Sequence, residues 1–198
     1  MLVNSSWGCT YSQHIYTAEE LSAAGYSAGP IQSVAFNYKG QSSYYDKTQT
    51  VLIGATDRTS FSSGAPEDFI TGLQVVYGPT YHTFQHGWVT YEFTEPYMWD
   101  GMSNIVVALL SNGDGTHMGA YGWDAAGSDV PEARTVVRYK DNDIIDINNL
   151  GAGGSQGYAY SIRPNARFTQ TYALEACPAV ENVSAKVVGR GTSEILVS

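Results

Sequence analysis

Short runs of alternating hydrophobic and polar residues recur along the chain, and turn-forming residues separate them. In residues 88–93, Val89, Tyr91 and Phe93 alternate with the side chains of the opposite face, the two-residue period of a half-buried strand. The run 104–110 is almost wholly apolar, as expected of a central strand covered on both faces. Further strand-like runs are 31–38, 51–53, 73–77 (ending at Gly78-Pro79), 134–139, 158–162 and 166–172.

Helical signals are confined to one short segment near the N-terminus. Thr17 is followed three residues later by Glu20, the spacing of a capping box, and Gly25 ends the helix after one or two turns. Many short strands, glycine-rich turns and almost no helix predict an all-β fold. The expected architecture is an antiparallel, jelly-roll-like β-sandwich with a short N-terminal helical turn.

The sequence changes in character near residue 175, and this change divides the chain into two predicted parts. Residues 1–174 form the β-sandwich module, and residues 175–198 form a linker and the truncated start of a further β domain. The two cysteines, Cys9 and Cys177, lie near the two ends of the module. They are either two separate thiols or a single disulfide that closes the long loop between them, and both alternatives stay open.

The charge balance narrows the range of partners. Ten lysines and arginines stand against 19 aspartates and glutamates, so the net charge is −9. This balance repels polyanions, and the basic residues form no stripe, so nucleic acid is not a predicted partner. No apolar run approaches the roughly 20 residues of a membrane span, so no membrane insertion is predicted.

The composition favours an extracellular or cell-surface location. Only 15% of the residues are charged, whereas tyrosine, threonine, serine, glycine and asparagine are frequent. Met1 to Asn4 leads straight into polar residues without the pattern of a signal peptide. If the parent protein is exported, its signal has therefore been removed or lies on another segment.

Two long loops are the predicted binding region, because loops on a rigid sandwich commonly carry function. They run from Ser111 to Ser128 and from Asn148 to Gly157. The predicted ligand-binding residues are Tyr121, Trp123, Asp124 and Asn112. Their rings would stack on a sugar, and the carboxylate and amide would hydrogen-bond its hydroxyl groups. In the competing interpretation, Trp123 folds back into the core and only anchors its loop.

Other aromatic residues divide between binding and packing. Tyr44, Tyr45 and Tyr158 are further candidates for a ring platform. Trp88 and Trp99 belong to strand-like segments and are predicted to serve core packing and cross-strand pairs instead.

Structural calcium is the one cofactor for which the sequence offers ligands. Asn112, Asp114 and Asp124 supply oxygen atoms, and Gly113 and Gly115 let the backbone curl around a hard cation. A second oxygen-rich cluster consists of Asp141, Asn142, Asp143 and Asp146. Asn-Gly and Asp-Gly are equally the usual residues of hairpin turns, and no complete EF-hand pattern is present.

The candidate catalytic groups do not form a recognisable constellation. His82 and His86 would lie about 13 Å apart on one strand, from a rise of about 3.3 Å per residue, too far for one metal ion. Glu92 and Glu95 read as solvated residues, and no Gly-x-Ser-x-Gly motif is present. The chain is therefore predicted not to be an enzyme, with a glycoside hydrolase or peptidase domain as the disfavoured alternative.

Several segments, taken together in their order along the chain, resemble those of a known family. They are Tyr11 to Tyr16, Ala18 to Leu21, Ile31 to Phe36, Ile53 to Phe61, Gly87 to Thr90, Pro96 to Ala108 and Arg163 to Phe168. Their order and spacing over residues 11–172 resemble a module common in Bacteroidota surface proteins. The segment from Cys177 is similar to the opening of a fibronectin type III domain, which often follows that module.

The resemblance implies a fold and a location more than an activity. The family is a jelly-roll-like, galactose-binding-like sandwich that is often appended to peptidases, carbohydrate-active enzymes and adhesins, and it carries no catalytic set to transfer. The leading hypothesis is a non-catalytic binding or adhesion module that engages an extracellular glycan or protein, beside other domains of its parent chain. The alternative is a structural spacer or assembly subunit of a surface appendage or phage.

Overall fold

The computed structural model describes residues 7–39, 47–82, 86–112, 127–141, 144–151 and 156–171. The helix α1 spans Ala18–Ala23, and a 3-10 turn spans Pro66–Asp68. The strands are β1 (Cys9–Tyr16), β2 (Gly29–Tyr38), β3 (Lys47–Thr56), β4 (Gln74–His82), β5 (Gly87–Trp99), β6 (Asn104–Asn112), β7 (Gly127–Asp129), β8 (Thr135–Lys140), β9 (Gln156–Tyr160), β10 (Ile162–Pro164) and β11 (Ala166–Gln170).

These strands form an antiparallel sandwich. The large sheet has six strands in the order β4-β3-β6-β1-β8-β9, and the small sheet has three in the order β11-β2-β5. β7 and β10 form a separate two-stranded ribbon. The chain passes repeatedly between the two sheets, from β1 to β2 to β3 and again from β4 to β5 to β6, as in a jelly roll. The predicted all-β, jelly-roll-like sandwich is confirmed.

The large sheet has a hydrophobic cluster on each of its faces. Between the sheets, Val107 and Leu109 of β6 pack with Phe36 and Tyr91 of the small sheet. On the outer face, Val106 and Ala108 of the same strand join a second cluster, whose other members include Tyr11, Ile15, Phe61, Phe69, Ile145 and Leu150. β6 is therefore covered on both faces, which explains the apolar run in its sequence.

β1, a further strand that is buried on both faces, is absent from the sequence-based prediction. All eight of its residues are buried, although Thr10, Ser12, Gln13 and His14 are polar. Gln13 donates to the carbonyl of Ile70 and accepts from its amide, both at 2.8 Å. The polar residues hide the hydrophobic pattern, and their hydrogen bonds make their burial tolerable.

The short N-terminal helix is confirmed together with its cap. The Thr17 side chain accepts from the Glu20 amide, and the Glu20 carboxylate accepts from the Thr17 amide, which completes the capping box. Gly25, at the end of the helix, has a φ of 91°, a conformation in which glycine is unstrained.

Several boundaries differ from the prediction. β4 does not end at Gly78-Pro79 but continues to His82. Gly78 has a φ of 80°, and a Cβ there would overlap the Gln49 carbonyl of β3, so this position requires glycine. The predicted run 158–162 is divided between β9 and β10. No helix among the described residues is long and apolar enough to cross a membrane.

The predicted domain boundary and the tail 175–198 lie outside the described residues, as does Cys177. Cys9 begins β1 and is buried. The two-part organisation and the pairing of the cysteines stay predictions.

Candidate ligand-binding surface

The residues predicted to bind a ligand fall mostly outside the described part of the chain. Tyr121, Trp123, Asp124 and Asp114 lie there, as do Tyr44 and Tyr45. Asn112 is described and is the last residue of β6. Its amide oxygen accepts from the Ile145 amide at 3.0 Å, and its nitrogen donates to the Ile145 carbonyl at 3.4 Å. Asn112 therefore fixes the segment that covers the outer face of the large sheet.

Both predicted binding loops are anchored at the same end of that sheet. Asn112 pairs with Cys9, which also pairs with Lys140, and the neighbouring Tyr139 pairs with Gln156. β6 ends at Asn112, inside the first predicted loop (111–128), and β9 begins at Gln156, inside the second (148–157). The placement of Tyr121, Trp123 and Asp124 relative to the second loop stays a prediction.

The aspartates of the second predicted calcium cluster that the structure describes accept hydrogen bonds from backbone amides. Asp141 accepts from the Gly8 amide at 3.1 Å, and Asp146 accepts from the Asn148 amide at 2.9 Å. Within the described ranges, no group of three histidine, cysteine, aspartate or glutamate side chains is placed to hold a metal ion. Asn142, Asp143, Asp114 and Asp124 lie outside those ranges, so calcium stays a prediction.

His14 lies beside two hydroxyl groups, one of which is a potential nucleophile. Its Nε2 lies 3.0 Å from Ser12 Oγ, and its Nδ1 lies 2.9 Å from Thr135 Oγ1. Burial holds the pKa of His14 well below its usual range, and all three side chains have no exposed surface. The pair contacts no solvent, so it cannot reach a substrate in this structure.

Two carboxylates are bound into the scaffold. Burial would raise the pKa of Glu20, but hydrogen bonds from Arg163 and Thr17 outweigh it and lower the pKa to about 2. The same carboxylate pairs with Arg134 at 2.6 Å. Burial would likewise raise the pKa of Asp68, but hydrogen bonds to its carboxylate outweigh burial and lower the pKa. The donors are the side chain of Arg58 and the amides of Ser62, Ser63 and Gly64. Glu20 joins α1 to the strands, and Asp68 fixes the loop before β4.

A row of four aromatic rings lies along the β8–β9 edge of the large sheet. The ring of Trp7 stacks on Tyr139, with centroids 5.8 Å apart and an interplanar angle of 14°. The ring centroids of Tyr139 and Tyr158 are 6.3 Å apart, with an interplanar angle of 41°. Those of Tyr158 and Tyr160 are also 6.3 Å apart, with an interplanar angle of 42°. We call these four residues the ring row.

Exposure differs along the ring row, and Trp7 is half-buried. Tyr139 is 3% exposed, whereas Tyr158 is 44% and Tyr160 is 37% exposed. Tyr158 and Tyr160 pair with Val137 and Thr135 of β8, on the side of the large sheet that carries His14 and faces the small sheet. β9 is the edge strand, and the small sheet leaves this part of the face uncovered.

The alternation of β9 explains this placement. Gly157 and Ala159 point to the outer face, where Gly64 lies against Gly157 and Ala159 packs on the second cluster. The two tyrosines therefore point the other way and side by side. Such a row offers flat apolar ring faces next to phenolic hydroxyls that donate and accept hydrogen bonds, a combination suited to stacking on a sugar.

Sequence reasoning named Tyr158 as a ring candidate but missed Trp7, Tyr139 and Tyr160. The signal for Tyr160 was its spacing of two residues from Tyr158 within a strand-like run. Tyr139 and Trp7 join the row only through the pairing of β8 with β9 and the course of the N-terminal segment. No local pattern contains that information.

The two tryptophans predicted to pack or pair have different surroundings. Trp99 is 2% exposed and donates from Nε1 to the Ser103 carbonyl at 2.8 Å, which confirms the core prediction. Trp88 is 37% exposed, so core packing is wrong for it. Val89 and Tyr91 take the inward positions of β5, and Trp88 therefore lies on the outer face of the small sheet, where its ring contacts the side chain of Arg167.

No protein-family model, curated protein or solved structure matches the chain.

Proposed function

We propose that the chain is a non-catalytic, extracellular binding module of a larger surface or secreted protein, and that it binds a glycan on the ring row. The observation that carries the proposal is the exposure of two adjacent tyrosines, Tyr158 and Tyr160, in a continuous row with Tyr139. Large exposed aromatic residues that lie together commonly mark a binding surface.

The construction of the row supports binding by stacking. Tyr158 and Tyr160 stand on a strand, and their neighbour Tyr139 is buried, so the exposed rings have a rigid base. Aromatic side chains with two χ angles lose little conformational entropy on binding. With a net charge of −9 on the chain, the surface suits an uncharged ligand better than a polyanion.

The family and location belong to the same proposal. The resemblance to the Bacteroidota surface module and the similarity of the tail to a fibronectin type III opening both favour a position among other extracellular domains. Such a module would keep its parent protein close to a glycan surface. The loop residues Tyr121, Trp123, Asp124 and Asn112 remain candidates for further contacts, since both loops are anchored at the Gln156 end of β9.

A glycan array with matched variants tests the proposal. The wild-type chain is expected to bind a subset of neutral glycans, and the double variant Tyr158→Ala, Tyr160→Ala is expected to lose that binding. Tyr81→Ala is the control, because Tyr81 is 67% exposed on β4, the opposite edge strand of the same sheet. All three proteins should have similar melting temperatures.

Two results would contradict the proposal. One is equal binding by the double variant and the wild type, which would move the ligand elsewhere on the molecule. The other is an array without any bound glycan, which would favour the structural spacer or assembly subunit.

A further inference from the structure

The outer face of the small sheet carries a second aromatic site, built from Trp88 of β5 and Arg167 of β11. The guanidinium carbon of Arg167 lies 3.8 Å from the centroid of the Trp88 ring. The two residues reach each other across β2, where Ala35 pairs with Arg167 on one side and with Thr90 on the other. Ala35 is 6% exposed although it faces outward, so it lies beneath the stack.

Arg167 differs from the other arginines of the described residues in its partners. Arg58 pairs with Asp68, and Arg134 and Arg163 both pair with Glu20. Arg138 donates to the Gly64 carbonyl. Within the described part of the chain, Arg167 has the Trp88 ring as its contact and neither a carboxylate nor a carbonyl on its N–H groups. This is notable in a chain where acidic residues outnumber basic ones by 19 to 10.

The chemistry of a stacked guanidinium points to its ligand. Stacking on an indole holds the guanidinium plane in place and leaves its edge free to donate two parallel hydrogen bonds to a carboxylate. The Trp88 side chain is 37% exposed beside the guanidinium, and its accessible part offers the apolar contact that a sugar ring takes. Thr90 and Thr169 are exposed on the same face. The Thr169 hydroxyl accepts from Ser33 Oγ at 2.8 Å and keeps its own proton to donate to a sugar hydroxyl.

We propose that Trp88 and Arg167 form a binding site for a carboxylate-bearing sugar, of the uronic acid class, in a glycan chain. Arg167 binds the carboxylate and Trp88 contacts the ring. The site lies on the outer face of the small sheet, whereas the ring row lies on the inner side of the large sheet, so the two surfaces are separate. The acidic sugar is selected by the one arginine, in contrast to the neutral ligand of the ring row.

Matched pairs of oligosaccharides test this site by calorimetric titration of the purified chain. The acidic probes are trigalacturonic acid and a β-linked glucuronic acid trimer, and galactotriose and cellotriose are their neutral counterparts. At least one acidic probe is expected to bind more tightly than its neutral counterpart. Arg167→Gln is expected to weaken that binding about tenfold or more, the usual effect of losing a charge-assisted hydrogen bond.

Further variants separate binding from a purely structural brace. Arg167→Lys should bind between the wild type and Arg167→Gln, because lysine keeps the charge but not the planar fork. Trp88→Ala should also weaken the binding of the acidic probe. Two control variants should leave that binding unchanged: Lys140→Gln, which removes a charge from β8, and the double variant of Tyr158 and Tyr160. The proposal is overturned if neither acidic probe is preferred by the wild type, or if Arg167→Gln lowers the melting temperature without changing the preference.

Discussion

Gly64 and Gly157 meet backbone to backbone, although 92 positions lie between them in the sequence. A Cβ atom added to Gly157 would overlap the Gly64 carbonyl oxygen, and one added to Gly64 would overlap the backbone of Gly157 and Tyr158. This contact lets the loop before β4 lie directly on β9. It also fixes the strand that carries Tyr158 and Tyr160.

Gly157→Ala is therefore expected to destabilise the chain by about 1–3 kcal/mol, the usual cost of forcing extra atoms into a packed site. The overlapping atom is backbone, so no side chain can move aside to relieve it. The free energy of unfolding from urea titration measures the effect. Gly151→Ala is the control, since a Cβ there meets nothing within 4 Å. Equal stability of the two variants would show that β9 can shift away from the loop.

The alternation of residues allowed most of the sandwich to be predicted from the sequence. It predicted β2, β5 and β6 because each of these strands has at least one uninterrupted hydrophobic face. β1 was not predicted as a strand because its buried polar residues have distant hydrogen-bond partners. Gln13 contacts Ile70 and His14 contacts Thr135, and only the folded structure brings these residues together.

The candidate surfaces could be predicted only in part, for a related reason. The alternation of β5 sets Trp88 opposite Val89 and Tyr91, and the prediction of core packing for Trp88 overlooked this signal. The stack with Arg167 requires the pairing of β2 with β11, which joins residues more than 120 positions apart. The ring row requires the pairing of β8 with β9 in the same way.

The buried His14 predicts a loss of stability in weak acid. Burial lowers its pKa in the folded chain, so the unfolded chain takes up a proton below a pH of about 6.5 that the folded chain does not. The contribution of His14 to the free energy of unfolding should be constant above that pH. Below it, this contribution should fall by up to about 1.4 kcal/mol per pH unit.

Urea titrations at pH 7.5, 6.5 and 5.5 measure this slope. His14→Gln, although less stable at neutral pH, should lose the dependence between pH 6.5 and 5.5. His86→Gln should keep it, because His86 is exposed. An unchanged slope in His14→Gln would assign the acid sensitivity to another group.

Glu20 predicts a second loss at lower pH. Its pKa of about 2 in the folded chain lies below its ordinary value of 4.5, so its stabilising effect is complete above pH 4.5 and disappears toward pH 2. Glu20→Gln is expected to cost about 1 kcal/mol at pH 7, a modest value because the side chain is 38% exposed and partly screened. Thermal melts should show no such loss for the neighbouring Glu19→Gln, and the prediction is wrong if both variants melt together.

Asn112 allows the structural and the calcium interpretations to be separated. Asn112→Ala removes both hydrogen bonds to Ile145 and should destabilise the chain by about 1–2 kcal/mol, with or without calcium. If calcium is bound, a chelator should also lower the melting temperature of the wild type, because an ion bound only to the folded state stabilises that state. Melts in excess calcium and in excess chelator measure both effects. Identical wild-type melts would leave Asn112 with its structural contact alone.

Calorimetric titration of the strongest neutral glycan from the array into single variants of Tyr158 tests the central claim most directly. If the ring stacks on a sugar, Tyr158→Phe should bind within about threefold of the wild type, and Tyr158→Ala should bind about tenfold or more weakly. Tyr81→Ala should match the wild type. An alanine variant that binds as tightly as the wild type would contradict the ring row as the binding surface. Equal losses in the phenylalanine and alanine variants would contradict stacking as its mechanism.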